Sequence, residues 1–251
     1  MNPALRTDVV ERALADRTRA NRDFFETEAD RLARLCHRMA ERFARGGRLI
    51  AFGHSPSARS DARHVAVEFV HPVIVGKRAL PAVHVDDPDL VGAMRLLARP
   101  GDLVLAVGGV DDRDLAGVLR RAEAWGVRTL WIGAGPRPAP GAADHVLWTG
   151  PDAFVLLYHV LWELTHVVFE HPGLLTEDPA ACVDDVCITC SDEGRVAEVA
   201  AALDADATTA VVLAGGRRET VDTTLVGPVA PGDLLLVHAG TAISLIDEPA
   251  P

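Results

Sequence analysis

Leu49-Ile50-Ala51-Phe52-Gly53-His54-Ser55-Pro56-Ser57 is the stretch that decides the fold: an apolar run breaks into a glycine- and hydroxyl-bearing loop, and a helical stretch over residues 58–70 follows. A short apolar run bounded by turn residues reads as a buried strand. The alternation then repeats. Residues 82–85, 103–107, 129–132 and 145–148 read as strands, and residues 88–98, 113–125 and 152–170 as helices. Such alternation implies an α/β fold, a parallel sheet with helices on both faces. Upstream, residues 6–45 read as two helices, opened by Thr7 or Asp8 as a cap and stopped at Gly46-Gly47. Leu32, Leu35, Met39 and Phe43 recur there at helical spacing, and residues 136–141 read as a surface loop.

After His171-Pro172-Gly173 the pattern changes to short β-type runs at residues 196–199, 210–213, 219–221, 234–237 and 242–246. Turn signals at Gly215-Gly216 and Pro231-Gly232-Asp233 separate them, as in a small all-β barrel or sandwich. From Cys182 onward there are three arginines, no lysine and twelve Asp or Glu, so −9 of the net −11 lies there, and every Phe, Trp and Tyr lies before it. The expected domains are residues 1–175 and 182–251.

The acidic balance argues against nucleic acid or an anionic membrane as a partner. No apolar run approaches the roughly 20 residues of a membrane span. Met1-Asn2-Pro3-Ala4-Leu5-Arg6 lacks a signal-peptide core, and cytoplasmic residence is the expectation.

The loop from Gly53 to Asp61 opens a helix, where hydroxyls and unpaired N–H groups favour an anion; an ordinary capped helix start uses the same residues. Gly53 to Phe69, with Ser55 and Ser57, Asp61-Ala62-Arg63-His64 and Glu68, resembles the SIS domain of phosphoheptose isomerases over about residues 5 to 172. The resemblance implies Ser55, Ser57, Arg59 and Asp61 as ligand-binding residues, with Lys77 and Arg78 nearby, for a sugar phosphate or another anion. It also implies His64, Glu68 and His166 as ligands of zinc or another divalent metal, with Glu68 and His166 as the acid–base pair. His159, which shares a helix face with Glu163 and His166, joins the candidate ligands by its spacing, Tyr158 or His159 standing where the family has a glutamine. Homodimers or homotetramers are usual for such domains. Two features depart from the family. The first loop is one residue longer and carries Pro56 in place of a glycine. The loop that holds the sugar phosphate reads Gly108-Gly109-Val110-Asp111-Asp112-Arg113-Asp114, whose aspartates repel phosphate unless a cation or Arg113 screens them.

Cys182, Cys187 and Cys190 fall close together. The segment after Cys190 leads into a strand rather than a helix, unlike a thioredoxin-type pair, and no second Cys-x-x-Cys completes a structural zinc site. A thiolate at the edge of a small β-domain remains. The order Gly194-Arg195-Val196, Gly216-Arg217-Arg218-Glu219-Thr220-Val221, Pro231-Gly232-Asp233, Val237-His238-Ala239-Gly240 and Ala242-Ile243 closely resembles the HypC/HupF family of hydrogenase assembly chaperones. That family implies a small OB-like barrel that carries an Fe(CN)2CO unit with a HypD-like maturation protein and delivers it to the large subunit of [NiFe] hydrogenase. Cys187, His238 and Cys190 are then the iron-carrying residues, Cys190 sharing or replacing the role of Cys187. Cys36 reads as core. The expected function is a [NiFe]-hydrogenase maturation factor, and the alternative is a sedoheptulose 7-phosphate isomerase with an appended regulatory barrel.

Overall fold

The computed structural model describes residues 3–72, 74, 76–150, 153–171, 194–203 and 208–246, with side chains from residue 7 onward. The first element is one continuous helix, α1 (Pro3–Ala44), of 42 residues, where the sequence reading expected two. No glycine or proline interrupts residues 4–45, so nothing breaks the backbone hydrogen bonds until Gly46, whose φ of +88° ends it. Thr7 and Asp8 lie inside the helix and are not its caps. Residues 7–20 are exposed; from Phe24 onward an apolar stripe including Leu32, Leu35, Cys36, Met39 and Phe43 is packed into the core.

The next elements alternate as expected: β1 (Leu49–Gly53), α2 (Pro56–Val70), β2 (Ala82–Val85), α3 (Leu90–Leu97), β3 (Leu103–Val107), α4 (Arg113–Trp125), β4 (Arg128–Gly133), β5 (His145–Trp148) and α5 (Phe154–Glu170). The five strands are all parallel in the order β2-β1-β3-β4-β5. In β1 and β3 every residue is buried, as a sheet covered on both sides requires. One face packs against α1, α2 and α5 through Leu49, Ala51, Leu105 and Ile132. The other packs against α3 and α4 through Ile50, Phe52, Val104 and Ala106. The connections leave β1 and β3 in opposite directions, so their carboxyl ends flank the crevice where open α/β sheets bind ligands.

A closed barrel follows: β6 (Arg195–Ala202), β7 (Thr209–Ala214), β8 (Arg217–Asp222), β9 (Leu234–His238) and β10 (Thr241–Leu245), in the order β10-β8-β7-β6-β9. Its core is built from small side chains, among them Ala197, Val199, Ala210, Val212 and Val237. Closure removes the free edges that an isolated small sheet would expose.

The barrel packs on α4. Successive side chains of a strand point to opposite faces, so Glu198, between inward Ala197 and Val199, points out of the barrel. It is only 3% exposed because the first domain covers it. Its carboxylate accepts hydrogen bonds from Arg95, from Arg121 Nε at 3.2 Å and from Trp125 Nε1 at 2.7 Å. Arg121 also donates to the Gly232 carbonyl, and the Gly216 amide donates to the Ala124 carbonyl. A Cβ on Gly216 would stand 2.2 Å from Pro100 Cγ, so this turn requires glycine.

Candidate functional site

Three groups of residues hold chemistry. The first lies where α2 meets α5. Ser55 caps α2 by accepting from the Ala58 amide, Pro56 stands at its start, and Gly53 lets the strand end approach Ala58, where a Cβ would come within 2.7 Å. His64 and Glu68, one turn apart, then face His159 of α5. Glu68 Oε1 is 3.8 Å from His64 Nε2 and in close contact with His159 Nδ1. One ligand atom from each of the three lies within 4.8 Å of the others, a spacing a single divalent ion can bridge. Tyr158 packs on both imidazoles, with ring centroids 5.3 Å from His64 and 4.9 Å from His159.

Glu68 is 8% exposed, and its second oxygen, Oε2, is buried without a hydrogen-bond partner. Leaving such an acceptor unsatisfied costs about 1–3 kcal/mol, so the atom suits a bound cation or donor. Burial raises the Asp61 carboxyl above the ordinary carboxylate range, an effect that His64 opposes. Burial first, and then the Asp61 and Glu68 charges, push the Tyr158 phenol to about 12, so it stays protonated as a donor.

His166 does not join this group. It is fully buried, and its Nδ1 and Nε2 lie 2.9 Å from the carbonyls of Trp162 and Arg78. Both ring nitrogens face backbone carbonyls, of which a neutral imidazole donates to only one, and the ring stands outside the His64–Glu68–His159 cluster, so the metal-ligand and acid–base roles expected of His166 find no support in its placement. Glu163, on the same helix, is exposed and outside the cluster.

The second group surrounds the crevice between β1 and β3. Ser55 and Ser57 share a hydrogen bond at 3.2 Å. Arg59 pairs with Asp86 beyond β2 at 3.4 Å and so faces a carboxylate. Lys77 and Arg78 lie at the far end of α2, the first against Glu170 and the second over the Phe169 ring, and do not approach Ser55. Across the crevice, His54 Nδ1 stands 3.4 Å from Asp114, while Asp112 caps α4 through the Leu115 amide. His54, Asp112 and Asp114 are close enough to share a cation. The sequence reading had noted the aspartates but passed over His54 and Asp86. His54 directly follows the glycine that ends β1, and the strand-end rule would have singled it out.

The third group is in the barrel. His238 ends β9 and pairs with Thr241 across a tight turn in which Ala239 (φ 47°) and Gly240 (φ 82°) are both left-handed. Two such residues make the hairpin turn that matches strand twist, although alanine adopts that conformation only under strain. Arg195 pairs with Val237, so β6 starts beside the His238 end of β9. Cys182, Cys187 and Cys190 lie outside the described residues. Cys36 is buried, and burial pushes its thiol up to about 12.

Residues 193–250 match the model of the HupF/HypC family, a stretch that contains the whole closed barrel. The first domain is similar to phosphoheptose isomerases. That of Roseiflexus sp. (strain RS-1) is 30% identical over 122 residues, 42% of this chain, and the match spans 61% of that protein's length. That of Nitratidesulfovibrio vulgaris is 26% identical over 173 residues, covering 59% of this chain and 83% of that protein. Among solved structures, phosphoheptose isomerase GmhA from Neisseria gonorrhoeae aligns with a TM-score of 0.53 at 15% identity, over 64% of this chain and 99% of its own. A phosphoheptose isomerase from Francisella tularensis gives 0.54, also at 15% identity, over 64% and 98%. At that identity the likeness is one of fold. The chain therefore joins an SIS-type sheet of the phosphoheptose isomerase kind to a HupF/HypC-type barrel. Among the described residues no helix is long and apolar enough to cross a membrane.

Proposed function

We propose that this two-domain chain is a maturation factor for [NiFe] hydrogenase whose barrel carries or transfers the Fe(CN)2CO unit as cargo. One observation supports the reading most: the HupF/HypC match coincides with a closed barrel, whose first strand, β6, starts next to the His238 end of β9. A thiolate from Cys187 or Cys190 is a soft donor suited to low-spin iron bearing CO and cyanide, with His238 as a second polar group at the same end. A HypD-like protein supplies the unit and the hydrogenase large subunit receives it. The SIS-type domain binds a carbohydrate-derivative-like or other anionic ligand near Ser55 and Ser57, or a divalent metal through His64, Glu68 and His159. The assembly is a homodimer or homotetramer, read by light scattering on the full chain. The deciding experiment is infrared spectroscopy of protein co-expressed anaerobically with the other maturation factors. Cyanide and CO stretching bands are expected in the wild type and not in the Cys187→Ala, Cys190→Ala double variant; wild type without such bands defeats the reading.

The second reading is an aldose–ketose isomerase acting on sedoheptulose 7-phosphate. The His64–Glu68–His159 cluster and the similarity to phosphoheptose isomerases favour it. In this reading Glu68 takes a proton from the carbon beside the carbonyl and returns it to its neighbour, with His159 moving the oxygen-bound proton. Turnover lost in Glu68→Gln would establish this chemistry. Absence of turnover, with no thermal stabilisation by millimolar sedoheptulose 7-phosphate, removes both the isomerase and sugar-phosphate binding.

A further inference from the structure

The chain is acidic, yet one cleft gathers positive charge. At the amino ends of β1 and β3, opposite the crevice described above, Arg42, Arg45, Arg48 and Arg99 line a space of about 170 Å3 in which Asp102 is the single carboxylate. Asp102 is already committed. It accepts from the Arg48 and Arg99 amides and holds the Arg48 guanidinium at 2.6 Å, while Arg48 also donates to the Leu97 carbonyl. One wall is thus a fixed, neutral ion pair. Arg42 belongs to the last turn of α1, where a cation complements the helix dipole.

Arg45 and Arg99 are different. Both are exposed, and neither side chain has a hydrogen bond or ion pair among the described residues. The turns between them are open: Gly46 and Gly101 have no atom within 4 Å of where a Cβ would stand. Like charges converging on a cleft without a counter-charge repel one another, and an anion removes that repulsion. Guanidinium groups bind phosphate oxygens in pairs. The volume compares with the roughly 150 Å3 cavity that accepts one benzene, which suits a small oxyanion or the diphosphate part of an ester whose remainder lies outside the cleft.

We propose that this cleft is a second ligand site, one for a diphosphate-class anion, with Arg45 and Arg99 in direct contact and the Arg48–Asp102 pair as its rigid wall. It is independent of the iron and metal chemistry proposed above. Pro100, also in the lining, touches the barrel turn at Gly216, so the site borders the domain junction.

Titration calorimetry on the full chain tests it with inorganic diphosphate, comparing wild type, the Arg45→Ala, Arg99→Ala double variant, and Arg137→Ala as a control in the exposed loop after β4. Both substituted arginines are exposed, so unchanged melting without ligand serves as the folding check. Saturable binding is expected in wild type and in the control, weakened about tenfold in the double variant, as loss of two exposed ion pairs implies. Adenosine diphosphate binding more tightly than inorganic diphosphate would mark a diphosphate ester as the ligand; equal binding would mark the free anion. Equal affinity in wild type and the double variant, or no saturable heat at millimolar diphosphate, overturns the proposal.

Discussion

Replacing Glu198 by glutamine tests how the two domains are held together. The substitution keeps the shape but removes the charge facing Arg95, Arg121 and Trp125. Removing one partner from a fully buried ion pair costs about 3–5 kcal/mol. Here Arg95 is 43% exposed, so solvent screens its share, whereas Arg121 is only 11% exposed and Glu198 only 4% by side chain. A loss of about 3 kcal/mol is therefore expected, most of it through Arg121. For a chain of this length each kcal/mol moves the midpoint by roughly 2–4 °C, so scanning calorimetry should show a fall of about 6–12 °C. A double-mutant cycle with Arg121→Ala locates the effect and should give a coupling above about 1 kcal/mol. A fall under about 2 °C, or additive single effects, would refute the claim that this carboxylate fastens the barrel to α4.

Four further outcomes follow from the geometry. Purified wild type should hold stoichiometric zinc or iron by elemental analysis, and His64→Ala should lower that content; a metal-free, folded wild type removes the metal site. His166→Ala should leave metal content unchanged yet cost about 3 kcal/mol in denaturant unfolding, because it opens a cavity and removes the one hydrogen bond the neutral ring donates to a backbone carbonyl. Ala239→Gly should raise barrel stability by about 1 kcal/mol, since glycine takes the left-handed φ of 47° without strain; unchanged or lowered stability would count against a strained turn. With Cys182, Cys187 and Cys190 replaced by serine, Cys36 should resist thiol reagents until the protein unfolds. Its thiol rises from 9.0 to about 12 on folding, so its contribution to stability is present below pH 9 and is lost as the pH climbs towards 12; prompt labelling of folded protein would contradict this.

The sheet was legible because buried parallel strands are short apolar runs with glycine at their ends, and Leu49–Gly53 and Leu103–Val107 obey that rule without exception. The barrel strands were legible for a related reason, the turns at Gly215-Gly216 and Pro231-Gly232-Asp233 marking their limits. The site was harder to read. His159 and His166 share a helix face by angle, yet seven residues separate them by about 10 Å along the axis, too far for one ion. Only His159 lies level with Glu68. Likewise α2 separates Ser55 from Lys77 by its full length of about 22 Å, which proximity in sequence conceals. Glu198 looks like an ordinary solvated strand position, because its partners come from the other domain, Arg95 from α3 and Arg121 and Trp125 from α4.

That docked helix also makes a spectroscopic reporter of Trp125. The barrel contains no tryptophan, tyrosine or phenylalanine, so its own unfolding is silent in near-ultraviolet absorption and emission. Trp125, at 3% exposure, nevertheless donates its indole N–H to a carboxylate that belongs to the barrel. Its emission should shift when the two bodies separate, even while each keeps its fold. Intrinsic fluorescence would then follow undocking as distinct from unfolding, and far-ultraviolet circular dichroism would follow the folding itself.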